Sequence, residues 1–187
     1  MTGETMDTMG EVLRNGDRIG LRFVRHYSHP VERVWSAITE SDQLRYWMPC
    51  DIVGERRAGA DIELPFWPAQ VAKYQLKETS VRGRIEVWEP PQIFQWTWGG
   101  DVLRFELERS DGETTLTFTT WLESPDPDGA VSAAGGYHVC LNQLSVLLDT
   151  GAAPPLVDRD SEARGLQDAY AEQLAAAEAQ PQRTIPR

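Results

Sequence analysis

Cysteine is scarce in this sequence: Cys50 and Cys140 are the two in 187 residues, and neither belongs to a Cys-x-x-Cys or Cys/His pair. A disulfide framework or a structural zinc site needs more thiolates or imidazoles at short intervals, so neither is expected. Histidine is scarce too. His26, His29 and His138 form no His-x-x-x-His or His-Glu-x-x-His motif, and no metal or other cofactor is called for. Ser132 and Ser145 lie in no Gly-x-Ser-x-Gly elbow, which leaves no activated nucleophile and no catalytic residue to nominate. Long apolar runs are missing, and none approaches the roughly 18 residues that a membrane helix needs. The N-terminus is polar and acidic without the apolar stretch of a signal peptide. We therefore expect a cytoplasmic protein that does not insert into membranes. Positive charge is in deficit, with 18 Lys and Arg against 29 Asp and Glu and a formal net charge of −11. A polyanion would be repelled, so nucleic acid is not an expected partner.

What the chain does have is tryptophan, seven of them, which supply large flat apolar surfaces for a core or a cavity wall. Residues 1–17 show no sustained periodicity and are expected to be a disordered extension. Residues 18–27 alternate, with Ile19, Leu21, Phe23 and Tyr27 on one face, as a half-buried strand does. Pro30 suits the first turn of a helix, whose stripe is Val31, Val34, Trp35 and Ile38. Ser41 is expected to cap a second short helix bearing Leu44 and Trp47. Strands are expected over 52–55, 61–64, 71–76, 81–88, 93–98, 102–109 and 113–121. Turn signals such as Glu89-Pro90-Pro91, Gly99-Gly100-Asp101 and Ser110-Asp111-Gly112 separate them.

The longest apolar stripe is Ala130, Ala134, Tyr137, Leu141, Leu144 and Leu148, in steps of four and three. It predicts a helix over 129–150, stopped by Gly151 and about 30 Å long, enough to cross a small sheet. Ala152-Ala153-Pro154-Pro155 then serves as a linker to a narrow-striped helix carrying Leu166, Tyr170 and Leu174. The organisation is an extension (1–17), one domain (18–151), and a linker with a helical tail (152–187) expected to be dispensable for folding. The element order points to an α+β architecture: a bent antiparallel sheet gripping one long C-terminal helix, with two short N-terminal helices at one edge.

Four stretches in this order carry a family resemblance. They are HYSHPVERVWSAITESDQLRYWMP, GERRAGADIEL, GRIEVWEPPQIFQWTW, and the pair GETTLTFTTWLE and GGYHVCLNQLSVLL. Together they resemble the SRPBCC (START-like) superfamily, in the branch named for the activator of Hsp90 ATPase, the AHSA1-like domain, over residues 21–150. The resemblance implies the helix-grip fold of START and Bet v 1-like proteins, with a pocket between the sheet and the long helix. It implies no single chemistry. Gly136-Tyr137 stands where the family often carries Gly-Trp, which brings a hydroxyl to the helix–sheet junction.

The candidate ligand-binding set is Phe66, Trp67, Phe94, Trp96, Trp98, Gly136, Tyr137 and His138. Phe66 and Trp67 lie between Pro65 and Pro68, which suits a rim loop better than a paired strand. Gly135-Gly136 within a helix costs about 1–2 kcal/mol relative to two alanines. Either a close backbone approach or room for a ligand should offset that. His138 is a candidate donor or base beside Tyr137. The function expected is non-catalytic binding of a small hydrophobic or aromatic molecule. Two alternatives stay open. One is an interaction module, a chaperone cofactor or a homodimer using the Leu166/Tyr170/Leu174 face. The other is an aromatase/cyclase- or hydrolase-like enzyme working in the same pocket.

Overall fold

The computed structural model describes residues 8–123, 126–152 and 159–179. Residues 1–7, the Pro154-Pro155 linker and residues 180–187 lie outside them. The strands are β1 (Glu11–Asn15), β2 (Arg18–Tyr27), β3 (Asp61–Pro65), β4 (Ser80–Glu89), β5 (Ile93–Trp98), β6 (Asp101–Ser110) and β7 (Glu113–Trp121). The helices are α1 (Val31–Thr39), α2 (Ser41–Leu44), α3 (Pro68–Tyr74), α4 (Pro127–Thr150) and α5 (Arg159–Ala179). All seven strands join one antiparallel sheet in the order β1-β2-β7-β6-β5-β4-β3.

Alternation decides the faces of the sheet. β7 buries Thr114, Leu116, Phe118 and Thr120 and turns the residues between them outward. Pairing then aligns the apolar positions into rows. Phe94, Phe105, Phe118 and Phe23 are consecutive register partners across β5, β6, β7 and β2, and each is at most 1% exposed. Burying a side chain of this size contributes about 1.5–3 kcal/mol, so this row is a main support of the sheet. Asp111 (φ 44°) and Gly112 (φ 86°) form the two-residue turn between β6 and β7, where both positions need a positive φ. α4 crosses the concave face and buries Ala134, Leu141, Leu144 and Leu148 there. Pro127 occupies its first turn, and the Asp126 carboxylate accepts the Asp128 N–H. Gly151, at φ 64°, ends it.

Several expectations are corrected. The 1–17 extension is not structureless throughout, because Glu11–Asn15 pairs with β2 as an edge strand. Val12-Leu13 is too short an apolar signal to show a period, and its order comes from the neighbouring strand. Residues 71–76 are not a strand. Pro68 presets a helical first turn, α3 follows, and Gln75 in the left-handed region (φ 49°) stops it. α3 buries none of its own residues. Residues 52–55 contribute one isolated bridge, Val53 to Glu63. Ser41 does not cap α2; its hydroxyl donates to Asp51 (2.6 Å), and Glu40 precedes the helix without a side-chain cap.

The largest correction concerns the tail. Tyr170 and Leu174 of α5 are 0% and 4% exposed and belong to the core. The Tyr170 hydroxyl accepts the Gly10 N–H (3.0 Å) and hydrogen-bonds with His138 Nδ1 (2.7 Å). Arg14 of β1 pairs with Glu178. α5 thus packs on α4 and β1, and the folded unit extends beyond 18–151 at both ends. A narrow stripe suffices because α5 meets two elements along one line. No helix among the described residues is long and apolar enough to cross a membrane.

Candidate functional site

The two glycines of α4 serve different purposes. A Cβ on Gly135 would stand 2.8 Å from the backbone oxygen of Ala163, so this is where the α5 backbone rides directly on α4. A Cβ on Gly136 would meet nothing within 4 Å. Gly136 opens onto a cleft of about 320 Å³, which lies in the range of small-molecule sites. Trp98 at the end of β5 and Tyr137 and Cys140 of α4 line it. Pro49 follows the short helices on one side, and Gln70 and Tyr74 of α3 with Asp160 and Ala163 of α5 complete the rim.

Polar contacts hold the rim together. The Tyr74 hydroxyl donates to Asp160 Oδ1 (2.5 Å), and Lys73 Nζ lies 2.9 Å from Asp160 Oδ2. These bonds clasp α3 to α5, and they hold the Asp160 carboxyl below its ordinary pKa, the Tyr74 hydroxyl first and Lys73 second. The interior behaves differently. Burial pushes the Tyr137 phenol well above its usual pKa, opposed by the nearby Thr120 hydroxyl. Burial also raises the Cys50 thiol to about 12, with Asp51 adding to the effect, so Cys50 is no activated nucleophile. A wider hollow of about 610 Å³ runs along β3 and β4 beside Val53 and Gly54. It is open along the sheet edge, and its charges are matched, Arg82 with Glu63 and Arg84 with Asp61.

Of the eight candidate residues, the fold brings Trp98, Gly136 and Tyr137 together around the cleft. Phe66 abuts it, its ring 6.0 Å from that of Trp98. Trp67 precedes α3 and donates its indole N–H to the Met48 carbonyl (2.9 Å), which fixes the entry to α3. Phe94 and Trp96 do not line the cleft. They are sealed in the core, where Trp96 stacks on Phe105 with centroids 5.4 Å apart. His138 does not line it either. Successive helical residues point about 100° apart, so Tyr137 faces the cleft while His138 turns to Tyr170 and Phe23 and is 0% exposed. The rim residues Gln70, Tyr74 and Asp160 escaped the sequence because α3 looked like a strand and α5 like an appendage. The one signal for them was Pro68, which suits a first helical turn.

The comparisons with known proteins concern the family and the fold. Residues 28–149 match the family model described as activator of Hsp90 ATPase homolog 1-like protein. A sequence search of curated proteins found no match. Among solved structures, the fold is similar to a conserved protein of unknown function from Enterococcus faecalis, at 20% identity and a TM-score of 0.71, covering 90% of this chain and 91% of that one. It is also similar to CalU16 from Micromonospora echinospora, at 17% identity and a TM-score of 0.68, covering 95% and 100%. A protein from Bordetella parapertussis is similar at 24% identity and a TM-score of 0.62, covering 98% and 96%. These likenesses concern the fold and extend past the family segment at its ends. With that segment spanning well over half of the chain, the protein belongs to the activator of Hsp90 ATPase homolog 1-like family and has its helix-grip fold.

Proposed function

We propose that this protein binds one small, largely apolar molecule in the cleft between α4 and the end of β5, and does not transform it. The observation that carries this reading is Gly136. In mid-helix, where glycine is costly, it faces open space beside Trp98 and Tyr137. The ionisable groups around the cleft favour binding over turnover. The Tyr137 phenol is pushed further from ionisation, and the Asp160 carboxylate is engaged by Tyr74 and Lys73. A neutral aromatic body suits these walls better than an anion would, given the net charge of −11.

The test is titration with N-phenylnaphthylamine, a neutral probe that fluoresces in apolar surroundings. Binding is expected at roughly micromolar Kd, about −8 kcal/mol. Gly136→Leu places an isobutyl group in the cleft and should abolish the signal while the protein stays folded. A folded Gly136→Leu protein that binds the probe like wild type would show that the cleft is not the site.

A further inference from the structure

The polar groups available to an occupant of the cleft gather at its rim. Gln70 and Tyr74 come from α3 and Asp160 from the first turn of α5, while Trp98, Gly136, Tyr137 and Cys140 form the walls. The Tyr137 hydroxyl is not among these groups, because Thr120 engages it. Two of the three rim groups are engaged with each other. The Tyr74 hydroxyl donates to Asp160 Oδ1, and Lys73 Nζ sits on Oδ2. Gln70 differs. Its backbone N–H donates to the Trp67 carbonyl (2.8 Å), but among the described residues its side-chain amide has no hydrogen-bond partner. Gln70 and Tyr74 are four residues apart and so share one face of α3. That face is fixed at both ends. Trp67, just before the helix, donates its indole N–H to the Met48 carbonyl and its backbone N–H to the Pro49 carbonyl (3.3 Å). At the other end the clasp to Asp160 holds Tyr74. Between these points Gln70 is carried at the mouth of the cleft by a helix that buries none of its own residues, so core packing gives no reason for its place there.

We propose that Gln70 selects the head group of the ligand: an uncharged group that both donates and accepts hydrogen bonds, such as a primary carboxamide, on an otherwise aromatic body. This rests on the binding function proposed above and narrows its ligand class. A glutamine amide offers two N–H donors and a carbonyl acceptor, so its full complement is a group with both capacities. A second amide meets it with two hydrogen bonds side by side. The charges of the rim select against ionised heads. Tyr74 and Lys73 hold the Asp160 carboxyl below its ordinary pKa, so an anionic head at the mouth would face a carboxylate. A cationic head would have to displace Lys73 from Asp160, with Arg164 adding to the repulsion. A neutral head is accommodated with the clasp intact. The orientation follows. The aromatic body lies along Trp98 and Tyr137 in the space that Gly136 leaves, and the head stays at the mouth, where water reaches its remaining hydrogen-bonding positions. About 320 Å³ is at the small end of ligand sites, which suits a body of two fused rings.

The experiment displaces bound N-phenylnaphthylamine at neutral pH with naphthalene-2-carboxamide, 2-methylnaphthalene, 2-naphthoate and 2-naphthylmethylammonium, in wild type and in Gln70→Met. Methionine keeps the length and helix propensity of glutamine without its amide. In the variant the carboxamide-to-methylnaphthalene affinity ratio should fall about fivefold, the scale of one neutral hydrogen bond, with methylnaphthalene binding retained. A merely structural role for Gln70 would weaken all the compounds alike. In wild type both charged compounds should bind more weakly than the carboxamide. A second readout needs no variant affinity. The side-chain amide signals of Gln70 in the NMR spectrum, identified by their loss in Gln70→Met, should shift with the carboxamide and much less with 2-methylnaphthalene. If the probe is displaced but the ratio is unchanged in Gln70→Met, or a charged compound binds wild type better than the carboxamide, the head-group assignment is wrong and the cleft still stands. If neither the probe nor any of the compounds binds wild type, both proposals fall together.

Discussion

Gly135 and Gly136 allow a test at the level of one carbon atom. Alanine is better than glycine in a helix interior by about 0.8–1.0 kcal/mol, and that gain is available to both Gly135→Ala and Gly136→Ala. Their surroundings separate them. At 136 the new methyl meets nothing within 4 Å, so the full gain should appear. For a chain of this size it raises Tm by about 2–4 °C. At 135 the methyl lands 2.8 Å from the Ala163 carbonyl oxygen, which is backbone and cannot swing aside like a side-chain tip. Overpacking of that kind costs about 1–3 kcal/mol, which cancels or outweighs the propensity gain. The two variants should therefore differ by about 1–3 kcal/mol, or about 2–12 °C. Thermal melts followed by circular dichroism, with urea titrations as a second measure, would resolve this. Equal stabilisation by both substitutions would refute the reasoning, since α5 could not then be seated on α4 at that point.

Leu144→Asp should abolish folding, because Leu144 is 0% exposed and a carboxylate there has no partner to offset its desolvation; a melting transition like wild type would contradict the packing. Tyr170→Phe should cost about 1–3 kcal/mol in urea unfolding by leaving the Gly10 N–H and His138 Nδ1 without that hydroxyl, and a chain ending at Gly151 should aggregate or unfold. Full stability of that shortened chain would restore the dispensable tail. Alkali should destabilise the fold. Cys50 and Tyr27 titrate at about 12 in the folded protein, against 9.0 and 10.0 when exposed. Across that window the folded state holds protons that the unfolded chain has released, so stability is complete below about pH 9 and falls as pH rises toward 12. Urea midpoints at about pH 8, 10 and 11 would show this, and Cys50→Ala should delay the onset. Asp160→Ala should speed dissociation of a cleft-bound probe in stopped flow by freeing α3 from α5, while shifting Tm little, since exposed ion pairs contribute about 0–1 kcal/mol. An unchanged off-rate would show that the clasp does not control the mouth.

Much of this architecture was legible in one dimension. A period of two marks β2, β5, β6 and β7, and steps of four and three mark α4, because each element packs one face on the core and the chain must supply apolar residues at that interval. Gly136 was legible as well, since a glycine pair inside a strong helical stripe asks for a spatial reason. Other features were not. Val71 to Tyr74 fits strand or helix over so few residues, and α3, which buries nothing of its own, leaves no stripe to decide between them. β1 has two apolar residues in its middle and takes its order from β2. Tyr137 and His138 are neighbours in sequence, yet one lies at the cleft and the other at Tyr170. Phe94, Trp96 and Trp98 share a strand face, yet the depth of the sheet's curve sends two into the core and leaves one at the cleft. The pattern of residues alone determines which side of each element avoids water, because that is a local property with a fixed period. Which partner covers that side, and how closely, depends on distances between segments far apart in the chain. The gap that forms the cleft, bounded by Gly136, Trp98 and the α3–α5 clasp, was therefore decided by the tertiary structure alone.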